Sequence, residues 1–499
     1  MKQQYVIGID IGTQGTKTAL FSVDGIKVAE SFEESELICP APGQVRQKPS
    51  VIVGSVLRTI RKVMEKSSVP GEAVEAIGMD AQMAGIMAVD KNFEAVGDYD
   101  SWLDIRCTPY IQQMKKQAEQ EIIQKTGGTV TCAHGPKILH RKNEFPQEYQ
   151  RIAKFVLPGV YVAGKLCGLK AEEAYIDYTH LHFTGFADNQ KKSWDKGLLG
   201  EFGIEEDKMP NIVSPWKIVG SLTRTMAAAC GLLEGTKVAA GCGDSAASAL
   251  GAGIVEKNMV YDVAGTASVF ACSTDSFTPD LKEKTILFSR SVIDGLYTPL
   301  AYISGGGMCI KWFLEQYGRD YEYWNKEAEK IEAGSKGLYF APHFSGRTCP
   351  GIPDVRGAFC GLSFYHKAEH MYRSILEGIA YEYHLYFSIL KKQNPDIAPK
   401  AIYGSGGGTK SKIFNQIKSD VLGMTYQPLE NADSAVYASA MLAAYGAGIL
   451  TDLKAAMKAK YKKEIYTPNR ENYKPYQKCA EQYVKLMSLL EEFAESSAH

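Results

Sequence analysis

Apolar and polar positions alternate in short bursts along the first part of the chain, and the bursts read as strands. Tyr5 to Ile11 and residues 18–23 are rich in β-branched and aromatic side chains, and the turn Gly12-Thr13-Gln14-Gly15-Thr16-Lys17 joins them. A third antiparallel strand is expected over residues 26–32, after the Asp24-Gly25 turn. Residues 40–49, bounded by prolines, read as a loop. Helical spacing then takes over, with Val51, Val53, Val56, Leu57, Ile60 and Val63 predicting a helix over residues 50–66. Strand character returns at 76–83 and 87–89, and strands followed by helices indicate an α/β domain.

The pattern then repeats. Residues 145–168 hold another helical segment, and residues 236–241 form a short apolar strand that opens into a glycine cluster. Gly241-Cys242-Gly243-Asp244-Ser245 predicts strand, tight turn and a small-residue helix with Asp244 at its start. Residues 261–270, with Asp262, Gly265 and Thr266, restate the opening strand, Gly-Thr turn and strand in shortened form, which suggests a duplicated fold. Two more glycine turns lead from strand to helix: Gly305-Gly306-Gly307 before Ile310, Trp312 and Phe313, and Gly404 to Gly408 before a helix over 411–422. In the charged tail, 452–499, Leu453, Met457, Tyr483, Val484, Met487 and Leu490 at helical spacing predict packing on the second domain, with no catalytic signal.

These turns are where chemistry is expected. The glycines and hydroxyls of the opening hairpin suit backbone N–H groups that face a phosphate. Asp10, at the end of the first strand, is most simply a magnesium holder, because Mg²⁺ takes hard oxygen ligands, and Lys17 adds a point charge. Residue types alone allow an ordinary polar hairpin here, and they allow Asp244 to be only a helix cap. The later glycine turns let backbone approach a nucleotide at a helix N-terminus. The last one imitates a phosphate-binding P-loop, but Thr409 stands where that loop needs glycine. Arg347, Arg356 and Arg373 suit a sheet edge or a domain interface equally.

Composition narrows the partners. With 499 residues, 45% hydrophobic and a formal net charge of -1, the chain can form two large domains and has no electrostatic bias toward nucleic acid or a membrane surface. The absence of a long apolar run and of a signal-peptide form predicts a cytoplasmic protein with a small-molecule ligand. Eleven cysteines without a Cys-x-x-Cys pair read as buried thiols, and His366-x-x-x-His370 reads as a helix-surface pair and not as a zinc site.

Four motifs in order then resemble one family: Asp10-x-Gly12-Thr13, Gly243-Asp244-Ser245, Asp262-x-x-Gly265-Thr266 and Gly406-Gly407-Gly408-x-Lys410-Ser411. The chain resembles the FGGY carbohydrate kinases of the actin, Hsp70 and hexokinase ATPase superfamily over nearly its whole length. Pro42-Gly43-Gln44-Val45, Ser345-Gly346-Arg347-Thr348, Arg356-Gly357 and Glu377-Gly378 are lesser matches. The resemblance implies an α/β fold of two ribonuclease-H-like domains, 1–253 and 254–499, with sugar held mainly by the first and ATP mainly by the second in a cleft between them. It implies Asp244 as catalytic base, Asp10 as the Mg²⁺ holder, and Gly12, Thr13, Thr16, Lys17, Gly265 and Thr266 around the phosphates of ATP, with Gly307 and Lys311 nearby. Gly407, Gly408 and Ser411 would line the adenosine.

The sugar is expected on Gln82, Met83, Trp102, Asp104, Arg106 and Ser245. In xylulokinase-like members the first of these segments usually reads Gly-Gln-Met-His-Gly, whereas here Ala81 and Ala84 replace the glycine and the histidine, and Leu103 replaces the amide of Trp-Asn-Asp-x-Arg. Such losses alter the match between buried polar groups and ligand hydroxyls. A ketopentose such as xylulose leads, with another ketose, a tetrulose or a polyol such as glycerol or erythritol as alternatives, and a non-catalytic nucleotide switch behind them. A homodimer is compatible with the sequence.

Overall fold

The computed structural model describes residues 3–430, 434–457 and 463–497. The chain forms two compact units, Met1–Val255 with Phe288–Leu296 and Asp433–Lys458, and Glu256–Leu287 with Tyr297–Ala432 and Ala459–His499. The linear division expected at residue 253 is therefore interrupted twice, because two later segments return to the first unit.

The first unit is built on a seven-stranded sheet. Its order runs Ile218–Ser221, Lys237–Ala239, Val74–Ala81, Tyr5–Ile11, Gly15–Ser22 and Lys27–Glu34, with Cys242–Gly243 also pairing Val74–Ala81. The opening hairpin and its third strand are antiparallel, while Val74–Ala81 runs parallel to Tyr5–Ile11. Helix Pro49–Ser67 starts with proline at its first turn and buries Ile52, Val56, Ile60 and Val63. Thr16 and Thr18 point into this layer, with Thr16 Oγ1 2.7 Å from Ser55 Oγ and Thr18 Oγ1 2.8 Å from Thr59 Oγ1.

Helix Ser434–Gly446 is alanine-rich and packs on the same sheet. Its fit depends on missing side chains beneath it. A Cβ on Gly8 would stand 1.9 Å from Val436 O, and one on Gly78, its register partner, 1.9 Å from Ser439 O. Leu453 and Met457 join the core around this helix, so the expectation that they pack on the second domain is corrected. Apolar spacing marks a buried face without saying which sheet will cover it.

The second unit repeats the strand scheme. Its sheet runs Tyr297–Ile303, Ser268–Cys272, Val260–Ala264, Ala401–Ser405 and Thr425–Pro428, antiparallel across the hairpin and parallel from Val260–Ala264 to Ala401–Ser405. Long helix Ala368–Gln393 carries Glu377 and Glu382, both fully buried. Arg373 Nε donates to Glu377 at 2.8 Å, and Arg347 Nη2 donates to Glu382 at 3.1 Å, so these two arginines hold the interior of this unit. Helix Arg470–Ser497 completes it, with Tyr476 OH donating to Glu377 and Tyr483 OH to Glu382. The part of the tail at 458–462 and 498–499 lies outside the described residues.

Two smaller expectations change. His370 is buried in the first turn of helix Ala368–Gln393, whereas His366 precedes the helix and accepts from Ser363 N at 3.0 Å, so they are not a surface pair. The thiols are all free, but Cys39 and Cys360 are exposed. Among the described residues, no helix is long and apolar enough to cross a membrane.

Candidate active site

Three carboxyl groups of the first unit stand at the carboxyl ends of neighbouring parallel strands, where open α/β sheets bind ligands. Asp10 ends Tyr5–Ile11, Asp80 is its register partner on Val74–Ala81, and Cys242–Gly243 pairs with Asp80 and Ala81 just before Asp244. Lys17 faces Asp10 across the hairpin and lies 3.6 Å from Glu30.

Their electrostatics follow from burial and crowding. Asp80 is 1% exposed; Ser439 Oγ donates to its Oδ2 at 2.7 Å, and among the described residues no donor reaches its Oδ1. Burial first, then the charge of Asp10, pushes the Asp80 carboxyl well above the usual carboxylate range. Burial also raises Asp10, against the lowering effect of Asp80 and Lys17. Asp244 is half-buried at the start of helix Asp244–Gly251, and burial followed by the Asp10 charge raises it to about 6. Ser245 N donates to Asp244 Oδ1 at 2.6 Å and the Ser245 hydroxyl at 3.2 Å, which opposes that rise. The cap position belongs to Gly243, so the carboxylate of Asp244 is not consumed as a helix cap.

Beside the carboxyl groups runs a chain of hydrogen bonds. Trp102 Nε1 donates to Thr13 Oγ1 at 2.8 Å, Thr13 Oγ1 to Gln82 Oε1 at 3.3 Å, and Gln82 Nε2 to Gln47 Oε1 at 2.8 Å. Trp102 is 46% exposed and is not a core residue. Met83 packs against Gly243, where a Cβ would stand 2.4 Å from Met83 Sδ. Ala84 holds a left-handed φ of 62°, a conformation that L-residues adopt at a cost, and Gly85 makes room for the buried Tyr99 hydroxyl.

Several sequence-derived site residues prove to have other work. Asp104 is 2% exposed; burial raises its carboxyl, but Arg106 and the Val45 N–H outweigh burial and hold it below the usual range. Arg106 Nε binds Asp104 at 2.9 Å and its Nη2 binds Asp100 at 2.7 Å. The pair thus shapes the loop, with its polar groups turned on each other. Thr16 is removed from the phosphate set because its hydroxyl is buried against Ser55. Alternation along a strand sends it to the helix-covered face.

In the second unit, Gly265, Thr266 and Gly307 come together. Gly307 N and Met308 N donate to Thr266 O at 3.0 and 3.3 Å, and a Cβ on Gly307 would stand 2.0 Å from Gly265 O. Gly408 lies against Ala264, whereas Gly407 has open space where a Cβ would point. Lys311 faces Glu315 at 3.8 Å on the exposed side of helix Gly306–Tyr317. Ser411 caps helix Lys412–Leu422 by accepting from Phe414 N at 3.3 Å and contacts Asn325 at 3.0 Å, which commits its hydroxyl to structure.

Asp80 opens the 80–85 segment on which the sugar is expected, and the fold sets it beside Asp10 as well. Gln47 and Asp100, to which no sequence pattern points, hold Gln82 and Arg106 in place. Among the described residues, no group of three or more His, Cys, Asp or Glu could hold a metal ion by itself. Asp10 with Asp80 beside it fits Mg²⁺, which takes one or two carboxylates and fills its remaining positions with phosphate oxygens and water.

Comparison with known proteins extends these observations to the whole chain. Models of the N-terminal and C-terminal domains of the FGGY family of carbohydrate kinases match residues 5–251 and 261–447. The xylulose kinase of Bacillus subtilis (strain 168) is 27% identical over 485 residues, 96% of each chain. The gluconokinase of the same strain is 26% identical over 502 residues, covering 98% of this chain and 96% of the relative. The crystal structure of ligand-bound xylulose kinase from Lactobacillus acidophilus superposes with a TM-score of 0.91 at 24% identity over 98% of each chain, and so has the same fold. With both domain models matched in order, the chain belongs to the FGGY family of carbohydrate kinases.

Proposed function

We propose that this kinase transfers the terminal phosphoryl group of ATP to a hydroxyl of a neutral ketose, a ketopentose such as xylulose first, with Asp244 as the base. The observation that carries this reading is Asp244 itself. It is a half-buried carboxylate at a strand-to-helix turn, with a proton affinity raised to about 6 and its carboxylate not spent on capping. Phosphoryl transfer asks the protein to align the acceptor, receive its proton and stabilise charge. Asp244 receives the proton, while Ser245 N–H holds one carboxylate oxygen in place.

Asp10 would hold Mg²⁺, which when bound neutralises charge on the phosphates of ATP. The backbone turns at Gly12-Thr13 and Gly265-Thr266 would supply N–H donors to phosphate oxygens. Trp102 offers an exposed ring to an apolar sugar face, fixed through Thr13 to Gln82. Arg106 is spent on Asp100 and Asp104, which favours a neutral sugar over an aldonic acid such as gluconate.

Sugar-dependent ADP release with Mg·ATP across ketopentoses, tetruloses, gluconate and glycerol tests the proposal. Strongest stimulation by a ketopentose is expected; a preference for gluconate overturns the neutral-ketose assignment, and a flat panel overturns the whole reading. The base must be ionised to act, so kcat/KM should fall on acidification with a midpoint near pH 6, the value to which Asp244 is raised. An acid limb that persists unchanged in the residual activity of Asp244→Asn would remove Asp244 from that role. Thr13→Val should raise the sugar KM several-fold and leave the ATP KM nearly unchanged, because the lost hydroxyl bridges Trp102 and Gln82.

A further inference from the structure

The loop at residues 101–106 rests on a pair of thiols. Cys107 directly follows it and precedes helix Thr108–Thr126, Cys132 lies just before helix His134–Glu144, and their sulfurs are 3.0 Å apart. The Cys132 thiol donates to Asp104 O at 2.9 Å. Lys137 Nζ, buried, donates to Ser101 O at 2.9 Å and to Asp104 O at 2.5 Å, and lies 3.8 Å from Cys132 Sγ.

This arrangement differs from the isolated, buried thiols expected of the sequence. A disulfide needs its sulfurs at about 2.05 Å, so the pair has to close by about 1 Å. Cys107 is 1% exposed and Cys132 is half-buried, so Cys132 is the more open residue of the pair and Cys107 the sheltered one. The hydrogen bond from Cys107 lowers the Cys132 thiol to about 7 against the effect of burial, with Lys137 adding to the lowering. Cys107 is correspondingly held well above the ordinary thiol range.

We propose that Cys107 and Cys132 are a hydroperoxide-reactive thiol pair that closes to a disulfide and thereby re-sets the 101–106 loop; the effect on sugar binding rests on the kinase reading above. In the first step Cys132 sulfur attacks peroxide oxygen, the O–O bond breaks, and a sulfenic acid and one water result. In the second, Cys107 sulfur displaces the hydroxyl, the S–S bond forms and a second water leaves. Two thiols are oxidised by two electrons and one hydrogen peroxide is reduced to two waters. The disulfide removes the thiol proton that Cys132 gives to Asp104 O, so the loop loses one of the donors that fix it.

The test treats the full chain with hydrogen peroxide, alkylates remaining thiols and maps peptides without reduction. A linked Cys107 and Cys132 peptide is expected, formed ahead of any oxidation of the exposed Cys39 and Cys360, which serve as internal competitors. Cys107→Ser should stop at the sulfenic acid on Cys132, trapped by dimedone. Oxidation confined to Cys39 and Cys360, with Cys107 and Cys132 alkylated, overturns the proposal. In the peroxide-treated protein the sugar KM should rise several-fold, recover with dithiothreitol and not respond to peroxide in Cys132→Ser, which keeps a hydroxyl donor for Asp104 O and has no thiol to oxidise. A disulfide that leaves KM unchanged overturns the link to the loop. The mass readout needs no turnover, so failure of the kinase reading appears separately, as a reduced protein that releases no ADP with any sugar.

Discussion

Replacement of Asp244 by asparagine is expected to leave a folded protein that binds Mg·ATP and to cut sugar phosphorylation by about 10²–10⁴-fold, the range lost with a positioned general base. Asparagine keeps the size of the side chain and an oxygen for the Ser245 N–H, which donates to Asp244 Oδ1 at 2.6 Å. It cannot take a proton from a hydroxyl. The same change removes a negative charge from beside Asp10 and Asp80, two carboxyl groups that burial already pushes upward, Asp80 further through the charges of Asp10 and Asp244. Thermal stability should therefore hold or rise while activity collapses, the trade expected where function keeps like charges together. Measurement of sugar-dependent turnover beside nucleotide binding and the melting temperature separates the two effects. Turnover within a few-fold of the parent protein would disprove the assignment of the base.

Lys418→Met should have the largest effect on stability. Lys418 and Asp262 are both fully buried and ion-paired, and the hydroxyls of Tyr383 and Tyr426 donate to the same carboxylate at 2.7 and 2.6 Å. Methionine fills the space but leaves Asp262 charged in the interior, a situation that costs about 3–5 kcal/mol when a buried pair loses one member. Denaturant unfolding should show that loss in the second unit. Adding Asp262→Asn should recover much of it, since the buried charge then disappears with its partner. A single variant within about 1 kcal/mol of the parent would mean that the tyrosines alone satisfy the carboxylate.

The same residue explains why some of the site was legible in the sequence and some was not. Asp10 and Asp262 stand in the first strands of two Gly-Thr hairpins, two and three residues before the glycine. Their parallel neighbours differ as well. Asp10 pairs with Asp80, whereas Asp262 pairs with Gly404, and the space above that glycine is filled by the Tyr426 hydroxyl that donates to Asp262. One carboxylate keeps capacity for a ligand and the other is saturated by its own fold. Turn chemistry is local, so the hairpins, the Gly-Asp-Ser turn and the strand-to-helix glycines could be read directly. Which face a hydroxyl takes is not local, and Thr16 and Ser411 were assigned to ATP although the fold commits them to Ser55 and to a helix cap. Asp104 and Arg106 looked like two sugar ligands because residue type does not reveal that they bind each other.

Helix Ser434–Gly446 also sets the order in which this protein can mature during synthesis. The strands bearing Asp10 and Asp80 are made early, yet the helix that packs on Gly8 and Gly78, and the Ser439 hydroxyl that holds Asp80, come from the far end of the chain. Chains leave the ribosome from the N-terminus at a few residues per second, and domains usually complete in that order. Here the first unit cannot complete before most of the second has been translated. The nascent sheet waits with one apolar face open, and Asp80 acquires its hydrogen bond from Ser439 among the last events of folding.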